Sequence, residues 1–157
     1  MAGRQQLGRL AEVVRLHRGG VREHIDGAPA VVEVAREHAR RAGLANTTCT
    51  VADCHALPFA EAAFDRVTCR LGVMYFWHLA GALGEIRRVL KPSGTLYTAT
   101  NGMKHMQELH RIMEQLGFQR SDYLGRFVGE NSYRLENAAE QLQAQFGQVE
   151  LLRYDDA

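Results

Sequence analysis

Two neighbouring stretches decide the fold: "CHALPFAEAAFDRVTCRLGVMYF", residues 54–76, and "EIRRVLKPSGTLYTATNG", residues 85–102. "FDRVTCRLGV" (64–73) reads as a strand. "LAGALGEIRRVL" (79–90) places Leu79, Leu83, Ile86 and Leu90 on one face of a helix. "KPSG" (91–94) is a turn, where Pro92 and Gly94 stop that helix and release the strand "TLYTAT" (95–100). A strand, a helix and a second strand at this spacing make one β–α–β unit, and its layout is that of one half of a nucleotide-type binding site.

The same alternation runs outward in both directions. "NTTCTVAD" (46–53) is a short β-branched strand ending at Asp53. "PAVVEVAREHARRAG" (29–43) is a helix with Pro29 in its first turn and Gly43 as its stop. Residues Val21 to Ile25 are open to an extended reading. "QQLGRLAEVVRL" (5–16) has Leu7, Leu10, Val13 and Val14 at helical spacing. Downstream, "KHMQELHRIMEQLG" (104–117) and "LENAAEQLQAQF" (135–146) read as helices and "QVELLRY" (148–154) as a last strand. Strands alternating with helices of this length imply an α/β fold with a mostly parallel sheet covered by helices on both faces. Such sheets bind ligands at the carboxyl ends of their strands.

Bulk properties exclude little. The 157 residues suffice for one domain, and a net charge of +1 favours neither nucleic acid nor an anionic membrane. The basic residues Arg36, Arg40, Arg41, Arg87 and Arg88 are dispersed along helices and read as solvated faces. Cys49, Cys54 and Cys69 fit no metal spacing, and no membrane span or signal pattern is evident, so a reduced cytoplasmic compartment is expected. No metal is expected: His105 and His110, five apart, fall on diverging helix faces.

The candidate site residues follow the putative strands. Asp26 could accept two hydrogen bonds from a ribose diol or simply cap the next helix. Asp53 could accept from an exocyclic purine amino group or be a solvated loop aspartate. Cys54 reads as a small apolar filler. Pro58 and Phe59 read as a lid, Phe64 as core and Asp65 as the exposed start of a strand. Met74, Tyr75, Phe76 and Trp77 are either packing or a ligand box. His78 is the one histidine near the presumed cleft. No catalytic residue is evident, since no serine or cysteine has a base partner.

The run "VADCHALPFAEAAFDRVTCRLGVMYFWHLAGALGEIRRVLKPSGTLY" (51–97) resembles the central part of class I S-adenosylmethionine-dependent methyltransferases, nearest to the small-molecule branch with the quinone C-methyltransferases. "DGAPAVVEVAREHARRAGLANTTCTVAD" (26–53) is similar to that family's acidic end of strand two and its following helix. The resemblance extends from about residue 25 to the end. It implies a Rossmann-like domain over residues 1–157, incomplete at both ends, that binds S-adenosyl-L-methionine and methylates a small molecule, with no nucleic-acid or membrane partner. It implies that Asp26 meets the ribose hydroxyls and Asp53 the adenine amino group with Cys54 alongside. Arg70, Leu71 and Gly72 would line the floor near the methionine moiety.

Three departures stand out. The family's first strand and its "G-x-G-x-G" turn have no counterpart, and residues 3–16 look like the helix that follows that turn. Ser93 stands in "KPSG" where glycine is usual, and the chain ends before the family's final strands. Removing a strand between strands two and four leaves roughly 9–10 Å between them. Either the flanking strands close up, a segment such as "EVVRLH" (12–17) substitutes, or the sheet is split. An alternative function follows: a catalytically inactive, methyltransferase-like interaction module. A nicotinamide-dependent oxidoreductase is disfavoured, because the Rossmann glycine fingerprint is absent.

Overall fold

The computed structural model describes residues 14–70, 72–102, 104–119 and 133–154. They belong to two compact units, one ending at Ala99 and one spanning Thr100–Ala157. The first holds five strands, β1 (Val14–Arg18), β2 (Val21–Asp26), β3 (Thr47–Val51), β4 (Phe64–Arg70) and β5 (Leu90–Ala99), with helices α1 (Pro29–Arg41) and α2 (Leu79–Val89). The sheet order is β3-β2-β1-β4-β5. β2 pairs parallel with β3 and β4 with β5, while β1 is antiparallel to both β2 and β4. Four strands therefore run one way and β1 alone runs against them. The parallel arrangement expected for the strands near 47–52, 65–70 and 94–100 is the one observed.

The helix expected over residues 5–16 is corrected where the structure describes it; residues 1–13 lie outside the described segments. Val14 to Arg18 form a strand. Val14 and Leu16 are fully buried while Arg15 between them is exposed, a period of two rather than 3.6. Gly19 and Gly20 have φ of +51° and +85°, the positive pair that a tight hairpin turn demands, and they turn β1 directly into β2. β1 thus fills the gap between β2 and β4, which neither close up nor part. Tertiary pairing outweighs local helical spacing here. An empty slot would strand buried backbone donors and acceptors on both flanking strands, at about 1–3 kcal/mol each.

The same alternation builds the core. Val14, Leu16, Ile25, Val67 and Cys69 are all at most 1% exposed and share one face of the sheet. Right-handed crossovers that step outward from β1 in opposite directions carry α1 and α2 to opposite faces. α2 turns Ala82, Leu83, Ile86 and Val89 inward, and the solvent side of α1 carries the pairs Glu33–Arg36, Glu37–Arg40 and Glu37–Arg41. "KPSG" is not a free turn but an irregularity within β5: the register moves from Phe64 opposite Leu90 to Arg66 opposite Thr95. A Cβ on Gly94 would lie 2.8 Å from Leu90 Cδ2 and 3.2 Å from the Asp65 carbonyl, so glycine leaves the bulge room to close without displacing its neighbours.

In the second unit, α3 (Gln107–Gln115) and α4 (Ala138–Gln143) are the expected helices in shortened form. The Thr100 hydroxyl donates to the Tyr133 carbonyl at 3.1 Å, and Asn137 Oδ1 accepts from Arg134 N at 2.8 Å. The strand expected at 148–154 does not form: Leu152 and Tyr154 are 65% and 87% exposed. A strand exists by pairing, and among its described residues this unit offers no second strand.

Candidate functional site

Because β2, β3 and β4 run the same way, their carboxyl ends meet at one edge of the sheet. Asp26 is opposite Val51 in the ladder, and its carbonyl accepts from Ala52 N at 3.1 Å. Asp53 and Cys54 follow two and three residues beyond Val51. Arg70 ends β4, exposed, and Gly72 behind it is buried; Leu71 lies outside the described residues. Asp26 and Arg70 flank the slot of β1 in one row, two strand spacings or about 10 Å apart.

Asp26 is 3% exposed. Its Oδ1 accepts from Ala28 N at 2.7 Å, whereas the buried Oδ2 has no partner among the described residues. The helix begins at Pro29 with Ala28 as its cap, so Asp26 does not cap α1. Burial pushes its carboxyl above the ordinary aspartate range, and the Ala28 N–H acts more weakly in the opposite sense. A buried carboxylate oxygen without a donor is costly in the free protein, and it suits a ligand hydroxyl that supplies the missing hydrogen. Beneath it, a cavity of about 190 Å³ lies between α1 and the sheet, lined by Arg15, His24, Asp26, Val31, Val34 and Cys49. Burial raises the Cys49 thiol above its usual pKa, so it is no nucleophile there.

Asp53 is exposed, but its Oδ1 accepts from His55 N at 2.9 Å and lies 2.8 Å from His55 Nδ1. Cys54 is 1% exposed, consistent with a space-filling role, with its Sγ 3.4 Å from the same Nδ1. His55, which the sequence reading passed over, ties Asp53 to the aromatic segment. Its ring lies 4.8 Å from Trp77, meets Phe76 edge-on at 6.0 Å and stacks with His78 at 6.5 Å. Only its place two residues after an aspartate could have signalled this. Residues Val73–Tyr75 form a short 3-10 helix, Phe76 is buried and Trp77 is 71% exposed, so the aromatic cluster divides between packing and surface.

The "ALPF" loop forms a fixed wall. Leu57 N donates to Glu85 Oε2 at 2.9 Å, and Arg88 donates to the carbonyls of Phe59 at 2.8 Å and Leu57 at 3.0 Å. The Glu85–Arg88 pair on α2 clamps the loop, and Phe59 packs edge-to-face on Phe64 at 5.0 Å. Arg88, read from sequence as part of a solvated face, is thus structural.

The end of the sheet where the resemblance expects the methionine moiety differs. β1 is reversed, so the Gly19–Gly20 turn lies at the opposite edge of the sheet from Asp26 and Asp53, and Val14 comes to the site edge instead. Among the described residues no glycine turn presents backbone N–H groups there.

Comparison with known proteins supports the same architecture. The family described as "Methyltransferase domain" matches residues 7–98. The chain is 32% identical over 108 residues to the ubiquinone/menaquinone biosynthesis C-methyltransferase UbiE of Blochmanniella pennsylvanica, covering 67% of this chain and 42% of that protein. It is 32% identical over 107 residues to the malonyl-[acyl-carrier protein] O-methyltransferase of Halorhodospira halophila, covering 68% and 36%. The chain thus spans well under half the length of these relatives. A Bacillus halodurans protein assigned provisionally as a methyltransferase superposes with a TM-score of 0.59 at 20% identity, over 78% of this chain and 51% of that one, a likeness of fold. With most of its β–α–β core matched, this chain belongs to the methyltransferase domain family and has its Rossmann-like fold.

Proposed function

We propose that the chain takes part in S-adenosylmethionine-dependent methyl transfer to a small-molecule acceptor and contributes the adenosine-binding half of the cofactor site. One observation carries this reading: the buried Asp26 carboxylate, with an oxygen unpartnered among the described residues, at the carboxyl end of β2, next to the parallel strand β3 that leads into Asp53. Asp26 Oδ2 would accept from a ribose hydroxyl, and Asp53 from the adenine amino group. Cys54 fills the space behind the ring, and Arg70 to Gly72 line the floor toward the methionine end. When bound, the cofactor supplies a methyl group on a sulfonium. Its transfer requires in-line placement of the acceptor rather than an acid–base pair, which suits a site without an evident general base.

Relatives named for a quinone pathway and for malonyl-[acyl-carrier protein] motivate the acceptor class. We assign residues 1–157 to one methyltransferase-like domain, for which a single cooperative unfolding transition is expected. A reducing, cytoplasmic setting suits three buried cysteines, and among the described residues no helix is long and apolar enough to cross a membrane. Ligand-detected NMR with S-adenosylhomocysteine, adenosine and guanosine tests the site. Adenosine and S-adenosylhomocysteine compete for it and guanosine does not; equal binding of both nucleosides rejects the adenine role of Asp53.

A further inference from the structure

The alternation that buries Val14, Leu16 and Val67 sends the intervening side chains to the opposite face of the sheet. On that face His17 stands between Arg22 of β2 and Arg66 of β4 in one cross-strand row. Arg15 occupies the next row, and Arg70 lies further along β4 on the same side. All four arginines are exposed. None has an ion pair among the described residues, whereas Arg36, Arg40, Arg41 and Arg88 of the helices are matched by Glu33, Glu37 and Glu85. Asp26, the carboxylate on this face, lies buried and forms no ion pair.

Strands are spaced about 4.8 Å apart, so the row Arg22–His17–Arg66 concentrates basic groups within roughly 10 Å. Like charges directly opposite one another destabilise a sheet. The crowding registers on His17, whose pKa is pushed down first by burial and then by Arg22, Arg66 and Arg15. Beside the row, the Arg66 guanidinium lies 5.4 Å over the ring of Tyr97, which is 51% exposed.

We propose that this face, formed by β1, β4 and β5 with the start of β2, binds single-stranded nucleic acid. Phosphates would lie on Arg15, Arg22 and Arg66, and a base would stack on Tyr97. The exposed Tyr97, next to guanidiniums that form no ion pair among the described residues, favours this partner over an acidic protein: a base has a π-face for Tyr97, and a carboxylate-bearing helix has none. The chain's net charge is only +1, so the attraction belongs to this face and not to the whole molecule.

The test is fluorescence anisotropy of a labelled ten-nucleotide oligouridylate titrated with the full chain across a salt series. Three phosphate contacts at about 0.7 each predict a log–log salt slope of about −2.1. The double variant Arg22→Gln/Arg66→Gln should lower it to about −0.7 and weaken binding roughly 25-fold at about 0.1 M salt. Tyr97→Leu should weaken binding about 5- to 150-fold with the slope unchanged. All three side chains are exposed, and an unaltered circular dichroism spectrum and melting temperature verify folding. Absence of binding at low salt overturns the proposal, as does a slope that the double variant leaves unchanged. If polyglutamate displaces the RNA and Tyr97→Leu has no effect, the face belongs to an acidic protein instead.

Discussion

Replacing Asp26 by asparagine should separate stability from binding. In the free protein its Oδ1 is held by Ala28 N while the buried Oδ2 is unpartnered among the described residues. Burial raises the folded-state pKa of this carboxyl. A carboxyl raised on folding holds its proton more tightly in the folded than in the unfolded chain. It therefore opposes folding above the ordinary aspartate pKa of about 3.9 and ceases to do so below it. Asparagine keeps the Oδ1 acceptor and removes the charge. At pH 7 the variant should be more stable by on the order of 1 kcal/mol, the margin between burying an unpaired charge and an unpaired amide after relaxation. The gain should fade as the pH falls toward about 4. The same change removes a charged acceptor from the ribose, worth about 1.5–3 kcal/mol, and should weaken S-adenosylhomocysteine binding about 10- to 150-fold. Urea denaturation at both pH values and ligand-detected NMR measure the two effects. A variant that is less stable at pH 7, or binds like the wild type, would refute the assignment of Asp26.

Other expectations follow from the same geometry. The 157-residue chain should bind S-adenosylmethionine no better than submillimolar. Among the described residues no glycine turn presents backbone N–H groups to a methionine carboxylate, and losing two or three such hydrogen bonds, at about 1.5–3 kcal/mol each, weakens a micromolar ligand by roughly two to six orders of magnitude; a low-micromolar calorimetric titration contradicts this. Gly19→Ala and Gly20→Ala should each destabilise the chain by about 1–2 kcal/mol through their positive φ, read as a lower urea midpoint. Gly94→Ala should cost about 1–3 kcal/mol by the same measurement, because its Cβ meets Leu90 and two carbonyls of the bulge. Arg88→Ala should cost about 1–3 kcal/mol by leaving the Phe59 carbonyl without its Arg88 donor and taking one donor each from the Leu57 carbonyl and Glu85, which keep only Phe59 N and Leu57 N. It should also speed hydrogen exchange at Leu57 N.

Much of the molecule is written locally. Pro29 and Gly43 bound α1 by φ restriction and φ permission, and the stripe Leu79, Leu83, Ile86 makes α2 a helix that must be covered. Aspartates at strand ends mark the binding edge because parallel strands place all their carboxyl ends together. What residues 14–18 become is not local: Val14 completes the helical stripe of Leu7, Leu10 and Val13 but also alternates with Leu16 as a strand does, and the vacancy between β2 and β4 decides between the two. The same decision determines which way Arg15 and His17 point, and hence that basic residues scattered along the chain converge on one face. His55, two residues from Asp53, reaches Trp77, and Arg88 clamps the "ALPF" loop, through contacts between residues 22 to 31 positions apart that no spacing rule encodes. The strand expected at 148–154 fails for the complementary reason: alternation prepares a strand, but only a neighbouring edge, supplied by the tertiary structure, gives its backbone partners.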